Sequence, residues 1–256
     1  MKEAEARASA LEADRSALEA AAALTPAGPS LARALRARTV TLLAEVKRRS
    51  PSRGAIAEGL DAVAQAGAYA KGGAAGVSIL TEPKHFGGSA DDLRAVRAAL
   101  TIPALKKDFH VAPIQLLEAR ALGASAALLI ARALAPALLD ELVAYARAIQ
   151  LEVLVEVRDE DELERALAAG ATMVGVNNRN LESLEIDTGT AERLIPRMRE
   201  SIVAIAESGV RSRADVERYA ACGADAVLVG SMLSASADPA AAVQSLAGVP
   251  RRPRGG

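Results

Sequence analysis

The stretch CGADAVLVG, residues 222–230, carries the pattern that decides the fold, and variants of it occur earlier in the chain. A helical pattern ends, a glycine follows, and an alanine leads into a short apolar run. Glycine just past a helix end adopts the left-handed conformation at little cost. An apolar run rich in Val, Ile and Leu is typical of a parallel strand that is buried on both faces. The earlier copies are GGAAGVSIL (72–80), LGASAALLI (122–130) and AGATMVGV (169–176).

Four further apolar runs alternate with these copies and complete a set of eight strand candidates. The copies lie about 50 residues apart, which corresponds to two strand–helix units per step. Eight such units predict an α/β fold, a single closed (β/α)8 TIM barrel. An open doubly wound sheet is the alternative, but no G-x-G-x-x-G motif follows the first strand. The predicted strands end near residues 46, 80, 107, 130, 156, 176, 206 and 229.

The extent of the repeat divides the chain into three segments. Residues 41–248 are predicted to form the barrel. Residues 1–40 precede it, and their first half is rich in Ala, Glu and Arg, which favours an N-terminal helical extension packed on the barrel. This extension would either cover the N-terminal face of the barrel or flank its mouth. Residues 249–256, VPRRPRGG, are predicted to be a disordered tail.

The composition excludes several classes of function. Hydrophobic residues make up 51% of the 256 positions, enough for a large core and too many for a disordered chain. With 31 basic and 32 acidic residues the net charge is −1, which argues against binding of nucleic acid through bulk charge. Aromatic residues make up 2% and tryptophan is absent, so we expect no surface on which bases could stack.

Cysteine and histidine are scarce as well. Cys222 is the single cysteine and cannot form an internal disulfide, and His85 and His110 are too few for a His-rich zinc site. The charged N-terminus lacks the apolar core of a signal peptide, and no apolar run is long enough to suggest a membrane span. We therefore expect a metal-free, cytoplasmic protein that binds neither nucleic acid nor membrane.

Polar side chains stand at the C-terminal ends of the predicted strands, where barrel enzymes carry their reacting groups. Alternation along the first strand puts Glu45 and Lys47 on one face, so an acid and an amine point together into the mouth. Lys106 and Lys107 end the third strand, and one of them must face inward. Each charge alone could be a buried ion pair or a solvated loop end, but their common edge favours acid–base chemistry. Later strand ends add Glu156, Asn177, Arg179 and Glu207.

Small residues after the last two strands suggest a phosphate site. Ser208 and Gly209 follow strand seven, and Gly230 and Ser231 follow strand eight. Barrels commonly bind phosphate in these loops through backbone N–H groups, and small residues let the backbone approach the anion closely. Lys47 could supply the counter-charge.

The remaining reactive or aromatic residues have weaker signals. Cys222 ends a helix and is interpreted as a small buried hydrophobe. His85 and His110 lie on predicted loops and are assigned no role. Phe86 and Phe109 lie on loops at the predicted mouth, where they either contact a planar substrate or simply pack.

These residues, in this order, resemble the indole-3-glycerol phosphate synthase family, lyases of tryptophan biosynthesis. The resemblance spans residues 42–233, and its motifs K-x-x-S-P-S, K-D-F and N-N-R-N-L are highly specific in combination. The fold of the family is the (β/α)8 barrel that the repeat predicts independently. The matching segments are AEVKRRSPSRG (44–54), SILTEPKHFGGS (78–89), KKDF (106–109), LEVLVEV (151–157), GVNNRNL (175–181), AESGV (206–210) and VLVGSML (227–233).

The resemblance implies a carboxy-lyase that works without a metal or organic cofactor. The substrate would be the phosphorylated small molecule 1-(2-carboxyphenylamino)-1-deoxyribulose 5-phosphate. It closes a ring, loses CO₂ and then water, and yields indole-3-glycerol phosphate. Lys107 matches the general acid for ring closure, and Lys47 and Glu156 match the groups assigned to dehydration. Glu45 matches a carboxylate that positions or tunes the lysines.

Further positions match by the same resemblance. Asn177 and Glu207 match residues that contact substrate hydroxyl groups or the lysines, and Arg179 and Ser208 would bind substrate. Ser50, Gly209, Gly230 and Ser231 would surround the phosphate or its neighbours, and Phe86, Phe109 and Pro51 would flank the aromatic ring.

The sequence also departs from the pattern of the family. Lys106 stands where arginine is usual, the run after K-D-F differs, and residues 1–40 do not align with the extra N-terminal helix of the family.

Two alternatives stay open. One is an isomerase acting on phosphoribosylanthranilate, which favours a Cys/Asp pair at strand ends, whereas Cys222 lies on a predicted helix. The other is a non-catalytic phosphate-binding barrel subunit. We expect a monomer or a weak homodimer.

Overall fold

The structure is a computed structural model that describes residues 2–50, 54–57, 59–180 and 182–254. Eight parallel strands, numbered β1 to β8, close into a barrel whose order follows the chain, with β1 paired to both β8 and β2. The predicted (β/α)8 barrel is therefore confirmed. The barrel strands are β1 (Thr41–Val46), β2 (Gly76–Leu80), β3 (Ala104–Lys107), β4 (Ala126–Ile130), β5 (Glu152–Val157), β6 (Met173–Asn177), β7 (Val203–Glu207) and β8 (Ala226–Val229).

Helices precede the barrel and connect its strands, and a short antiparallel hairpin of Arg49–Ser50 with Gly54–Ala55 follows β1. None of the helices in the described ranges combines the length and apolar character that a membrane span needs. The α-helices are α1 (Lys2–Glu12), α2 (Arg15–Leu24), α3 (Leu31–Ala34), α4 (Ala62–Lys71), α5 (Pro83–Phe86), α6 (Ala90–Ala99), α7 (Pro113–Ala121), α8 (Pro136–Ala148), α9 (Glu160–Ala168), α10 (Gly189–Leu194), α11 (Arg213–Ala221), α12 (Ser231–Ser234) and α13 (Pro239–Leu246).

The repeat glycines end the helices as the sequence predicts. Gly73, Gly123, Gly170 and Gly223 have φ angles of +93°, +78°, +83° and +89°. Only glycine adopts this left-handed conformation without strain, so each of these helices stops at its glycine and the next strand starts three residues later. All eight strand ends lie within one residue of the predicted positions.

Apolar side chains form two layers in the barrel, one between the strands and the helices and one inside the strands, and a smaller cluster packs α1 and α2 against α7. The inner layer fills the lower half of the barrel with side chains such as Leu43, Leu105 and Leu154, all fully buried. Leu31 of α3 and Leu35, just after this helix, join it and close the N-terminal end. The upper half of the barrel is left to the polar strand ends.

The segment before the barrel occupies both positions that the sequence left open. α3 covers the N-terminal face, whereas α1 lies beside the mouth. Arg7 of α1 donates to both carboxylate oxygens of Asp108, at 3.0 and 2.6 Å, just after β3. Gln115 of α7 donates to the backbone oxygen of Ala4 at 3.3 Å. α2 continues along α7, so the extension packs along one side of the barrel.

The sequence predicted no packed structure for residues 249–256, but residues 249–254 lie against the N-terminal face of the barrel. The backbone N–H of Val40 donates to Val249 at 2.8 Å. The guanidinium of Arg254 is buried and donates to the carboxylate of Asp225 at 2.9 Å and to the backbone oxygen of Ile202 at 2.6 Å. Composition does not reveal such packing, because a guanidinium is buried only where acceptors from distant parts of the chain converge.

Candidate active site

A cavity of about 900 Å³ opens at the C-terminal ends of the strands. Every site residue predicted from the sequence that lies in the described part of the chain lines it, whereas Pro51 lies outside the described residues. Their roles stay predictions, but their convergence on one cavity is a structural fact. The lining residues among them are Glu45, Lys47, Ser50, Phe86, Lys107, Phe109, Glu156, Asn177, Arg179, Glu207, Ser208, Gly209, Gly230 and Ser231.

Lys107 lies at the centre of a hydrogen-bonded cluster that crosses the barrel. Its Nζ is 2.9 Å from Oε2 of Glu156 on β5 and 3.4 Å from Oε2 of Glu207 on β7. Asn177 of β6 donates its Nδ2 to the other oxygen of Glu156 at 3.0 Å and accepts from Oγ of Ser208 at 3.0 Å. Four strands therefore hold one ammonium, two carboxyl groups and an amide in a fixed arrangement.

Burial and neighbouring charges separate the protonation states of these groups. Burial alone would lower the pKa of Lys107, but the carboxylates of Glu156, Glu207 and Glu45 outweigh it and raise this pKa. Burial would raise the pKa of Glu156, but the Lys107 ammonium and the Asn177 amide outweigh it and lower this pKa. Burial, with the Glu156 and Glu45 carboxylates, outweighs Lys107 and raises the pKa of Glu207 to about 8.

At neutral pH the cluster therefore holds an ammonium, an ionised carboxylate and a protonated carboxyl group. Such a set contains donors and an acceptor for protons within one cavity, which is what acid–base catalysis of successive steps requires.

An ion pair from β1 stands beside this cluster. The strand alternation predicted that both side chains face the mouth, and Nζ of Lys47 lies 2.5 Å from Oε1 of Glu45. The backbone oxygen of Glu45 accepts from the hydroxyl of Tyr69 at 3.2 Å, which fixes the end of the strand. A side chain at Gly230 would place its Cβ 2.5 Å from Oε1 of Glu45, so only glycine leaves room for this carboxylate.

Two turns of small residues border the cavity after the neighbouring strands β7 and β8. Ser208 and Gly209 both adopt left-handed backbone conformations, with φ angles of +66° and +91°. Gly230 and Ser231 lead into α12. Because small residues leave the backbone N–H groups accessible, these turns are suited to an anion. Arg179 lines the cavity too and donates to the backbone oxygen of Leu184 at 2.7 Å.

Across the barrel, two phenylalanines border the cavity after β2 and β3. The ring centroids of Phe86 and Phe109 lie 6.4 Å apart, with planes inclined by 46°. This is a tilted aromatic pair with the geometry of a favourable contact. Phe86 is held by α5, whose first turn donates three backbone N–H groups to Glu82. Phe109 donates its backbone N–H to Asp108 at 2.8 Å.

The two adjacent lysines point in opposite directions. Lys107 faces the cavity, whereas Nζ of Lys106 lies 2.8 Å from Glu118 of α7 and 3.5 Å from Asp108. His110 contacts both Lys106 and the backbone oxygen of Leu128, and burial lowers its pKa to about 3. Extending the alternation from Leu105, which is in the inner layer, would have selected Lys107.

Sequence reasoning missed two further residues that shape the site. At Gly175 of β6 an added Cβ would lie 1.9 Å from Oε1 of Glu207, so the carboxyl group occupies the space that the missing side chain leaves. Asp108 lies between Lys107 and Phe109, and it accepts from Arg7 of α1 and from Thr81 at 2.6 Å. The residues around Gly175 and Asp108 in the sequence predict neither contact, because each contact depends on which strand or helix packs alongside.

One group on the rim of the mouth has the residue types of a metal site. The potential ligand atoms of Glu3, Glu82 and His85 lie within 4.8 Å of one another. However, Glu82 already caps α5, and Lys84 forms an ion pair with Glu3. The charges of this group are thus balanced by the protein, and we assign no metal to it.

Cys222 lies away from the cavity, at the C-terminal end of α11. Burial raises the pKa of its thiol to about 11, and the thiol donates to the backbone oxygen of Tyr219 at 3.1 Å. It is half-buried rather than fully buried.

Solved structures share the barrel at low sequence identity. A 3-hexulose-6-phosphate synthase superposes with a TM-score of 0.65 at 19% identity, over 81% of this chain and 98% of that protein. Thiamine phosphate pyrophosphorylase from Pyrococcus furiosus gives a TM-score of 0.61 at 15% identity, over 83% of this chain and 95% of that one. At these identities the likeness concerns the fold alone.

Sequence comparison is far more specific. A family model described as indole-3-glycerol phosphate synthase matches residues 1–246 and so includes residues 1–40, for which we found no alignment with the family from the sequence alone. Indole-3-glycerol phosphate synthase of Mycolicibacterium gilvum is 48% identical over 229 residues, which cover 90% of this chain and 84% of that protein. Indole-3-glycerol phosphate synthase 1 of Streptomyces coelicolor is 51% identical over 235 residues, which cover 92% and 87%. This chain therefore belongs to the indole-3-glycerol phosphate synthase family.

Proposed function

We propose that this chain converts 1-(2-carboxyphenylamino)-1-deoxyribulose 5-phosphate into indole-3-glycerol phosphate, as a carboxy-lyase of tryptophan biosynthesis. One observation carries the proposal: the Lys107 ammonium lies 2.9 Å from Glu156 inside a cavity bordered by an aromatic pair and, across the barrel, by two small-residue turns. This substrate has the matching order of groups, with a carboxyphenyl ring at one end, a phosphate at the other and a ketone between them.

Ring closure requires a proton donor at the ketone. The ring carbon that bears the carboxylate attacks the carbonyl carbon, and the carbonyl oxygen takes a proton. We assign this proton to Lys107, whose pKa is raised by the surrounding carboxylates, so that the amine is charged when the substrate arrives. An ammonium held at this position also stabilises the negative charge that develops on the oxygen. Loss of CO₂ then returns the electron pair of the broken bond to the ring.

Dehydration requires an acid and a base together. The hydroxyl formed in ring closure leaves as water after taking a proton, and a second proton leaves the substrate to complete the indole ring. Glu156, ionised at neutral pH, is suited to accept that proton, and Lys47 is suited to donate to the leaving hydroxyl. Glu45 would hold Lys47 in place at 2.5 Å.

The remaining assignments concern binding. Ser208, Gly209, Gly230 and Ser231 would receive the phosphate, with Ser50 and Arg179 beside them, and Phe86, Phe109 and Pro51 would flank the ring. Asn177 and Glu207 would contact substrate hydroxyl groups or Lys107, to which Glu207 is already bonded.

We further propose that the protein acts in the cytoplasm as a monomer or weak homodimer. In the described ranges, the large hydrophobic residues that stand out as exposed are Leu24 and Ile186, which are far apart in sequence and give little support to an extensive obligate interface. The isomerase alternative is less well supported, since Cys222 is far from the cavity lining and its thiol is kept protonated by burial. A non-catalytic barrel would have no need of the Lys107 cluster.

The experiment is to add the carboxyphenylamino ribulose phosphate and follow indole fluorescence. Because the chain has no tryptophan, product fluorescence rises over a low protein background. We expect turnover by the wild-type protein and its loss in Lys107→Ala. Lys71→Ala, at the exposed end of α4, is the matched control and should be as active as wild type. An active Lys107→Ala protein would contradict the assignment of the acid, and an inactive wild type would contradict the proposed function.

A further inference from the structure

The turn after β7 has an unusual backbone for the residues that form it. Ser208 carries a side chain and yet has a φ of +66°, and Gly209 follows with +91°. A left-handed conformation costs a residue with a Cβ about 1–2 kcal/mol, so surrounding contacts must hold it. Ser208 also donates its side-chain hydroxyl to Asn177 of the central cluster at 3.0 Å, a contact separate from those that hold its backbone.

Asn178 and Tyr219 supply these contacts from behind the turn. Nδ2 of Asn178 donates to the backbone oxygens of Glu207 and Ser208, both at 3.0 Å. The hydroxyl of Tyr219, at 2.9 Å, is a third acceptor that shares the two amide hydrogens, and this hydroxyl donates in turn to the oxygen of Ser208 at 3.4 Å. Both side chains are fully buried, and neither lines the cavity.

The same amide reaches a third element. Oδ1 of Asn178 accepts from the backbone N–H of Ala191 in α10 at 2.9 Å. The contacts of this amide thus join the end of β6 to β7, α10 and α11. At Gly209 an added Cβ would lie 3.2 Å from the hydroxyl of Tyr219, so the phenol packs directly against the turn. Burial raises the pKa of Tyr219 to about 12, and the hydroxyl keeps its proton.

We infer that Asn178 and Tyr219 are positioning residues for phosphate binding: they hold Ser208 and Gly209 in the left-handed form that presents the turn to the anion. The inference rests on the proposed function in that it takes the Ser208–Gly209 turn as part of the phosphate site. It adds two residues that touch neither substrate nor reacting atoms. Their effect on ligand affinity is exerted wholly through the backbone of the turn.

The test is Tyr219→Phe, which removes one hydroxyl and leaves the ring in place. Tyr145→Phe, on α8 and away from the cavity lining, is the matched control. The loss of the one hydrogen bond that this hydroxyl donates to the turn, at the Ser208 oxygen, corresponds to about a fivefold effect on affinity. We expect the Kd for inorganic phosphate, measured by titration calorimetry, and the KM of the substrate to rise about fivefold in Tyr219→Phe. kcat should change by less than twofold, and the control should match wild type. Asn178→Ser removes the amide contacts to Glu207 and Ser208, and in the folded variant the phosphate Kd should be higher than in Tyr219→Phe.

A double-mutant cycle separates positioning from general stability. Glycine adopts the left-handed form unaided, so Tyr219→Phe should have a smaller effect on phosphate Kd in a Ser208→Gly background than in wild type. A lower melting temperature with unchanged phosphate Kd in Tyr219→Phe would overturn the inference, and so would equal effects in the two backgrounds. Phosphate titration needs no turnover, so it measures the role of these two residues even if the chain fails to act on the proposed substrate.

Discussion

Glu207 makes the folding stability of this protein depend on pH in a way that can be calculated. Its pKa is 4.5 as a reference value and about 8 in the folded protein, because burial and two neighbouring carboxylates disfavour its charge. A group whose pKa is higher in the folded than in the unfolded protein stabilises the fold. This stabilisation is complete at pH values below the reference pKa and is lost as the pH rises through the folded pKa. The affected window is therefore pH 4.5 to 8.

The upper part of that window is free of the other shifted groups of the site. His110 has its pKa lowered from 6.5 to about 3, mainly by burial, so most of its opposite contribution changes below pH 6.5. Lys107 has a raised pKa and stays protonated in both states, and Glu156 has a lowered pKa and stays ionised in both. Between pH 6.5 and 8, Glu207 alone should remove about 1.5 kcal/mol of stability.

The assay is urea unfolding at several pH values from 6.5 to 8, for wild type and Glu207→Gln. Glutamine has the same shape and cannot ionise, so the decline of about 1.5 kcal/mol should be absent from the variant. Glu164→Gln, on the exposed face of α9, serves as the control and should keep the wild-type slope. Parallel slopes for wild type and Glu207→Gln would refute the reasoning, since the buried carboxyl group would then ionise as it does in the unfolded chain.

Three further predictions concern the walls of the site. Gly175→Ala should lower kcat about 100-fold, because its Cβ would displace the Glu207 carboxyl group, and a kcat within twofold of wild type would contradict this. Arg7→Ala removes the bidentate partner of Asp108 and should cost about 1–2 kcal/mol in urea unfolding, less than a fully buried pair because Arg7 is partly exposed. Phe86→Leu removes one ring of the aromatic pair, so it should raise the substrate KM about threefold to tenfold and leave the Kd for inorganic phosphate unchanged. An equal rise in KM and Kd would contradict this, because Phe86 would then affect the whole cavity.

The fold was predictable because its signals are local. The glycines of the repeat require a left-handed backbone, and the apolar runs that follow them must be covered on both faces, so strand ends and barrel closure follow together. The same locality gave the ion pair of Glu45 and Lys47, whose spacing of two residues puts them on one face.

Interactions between distant segments could not be predicted in this way. Arg7 and Asp108 are separated by 101 residues, and nothing in either neighbourhood specifies the other. Gly175 became significant only once the register paired Glu207 with Asn177, two residues further along β6 and on the same face as Gly175. Arg254 shows the same limit, because a tail of Pro, Arg and Gly looks unstructured until the acceptors of the barrel floor are in place. The periodicity of apolar residues predicts which face of a strand or helix a residue lies on. It does not predict which residue of the neighbouring element it contacts.

The inner apolar layer below the charged strand ends affects how the site exchanges protons with solvent. Leu43, Leu105 and Leu154 fill the lower half of the barrel, so among the described residues the route by which Lys107 and Glu207 exchange protons with bulk water runs through the mouth. A ligand that fills the mouth closes that route. Protons given up and taken back during one catalytic cycle must then circulate among the enclosed side chains and the ligand itself, with solvent restoring the balance only after release.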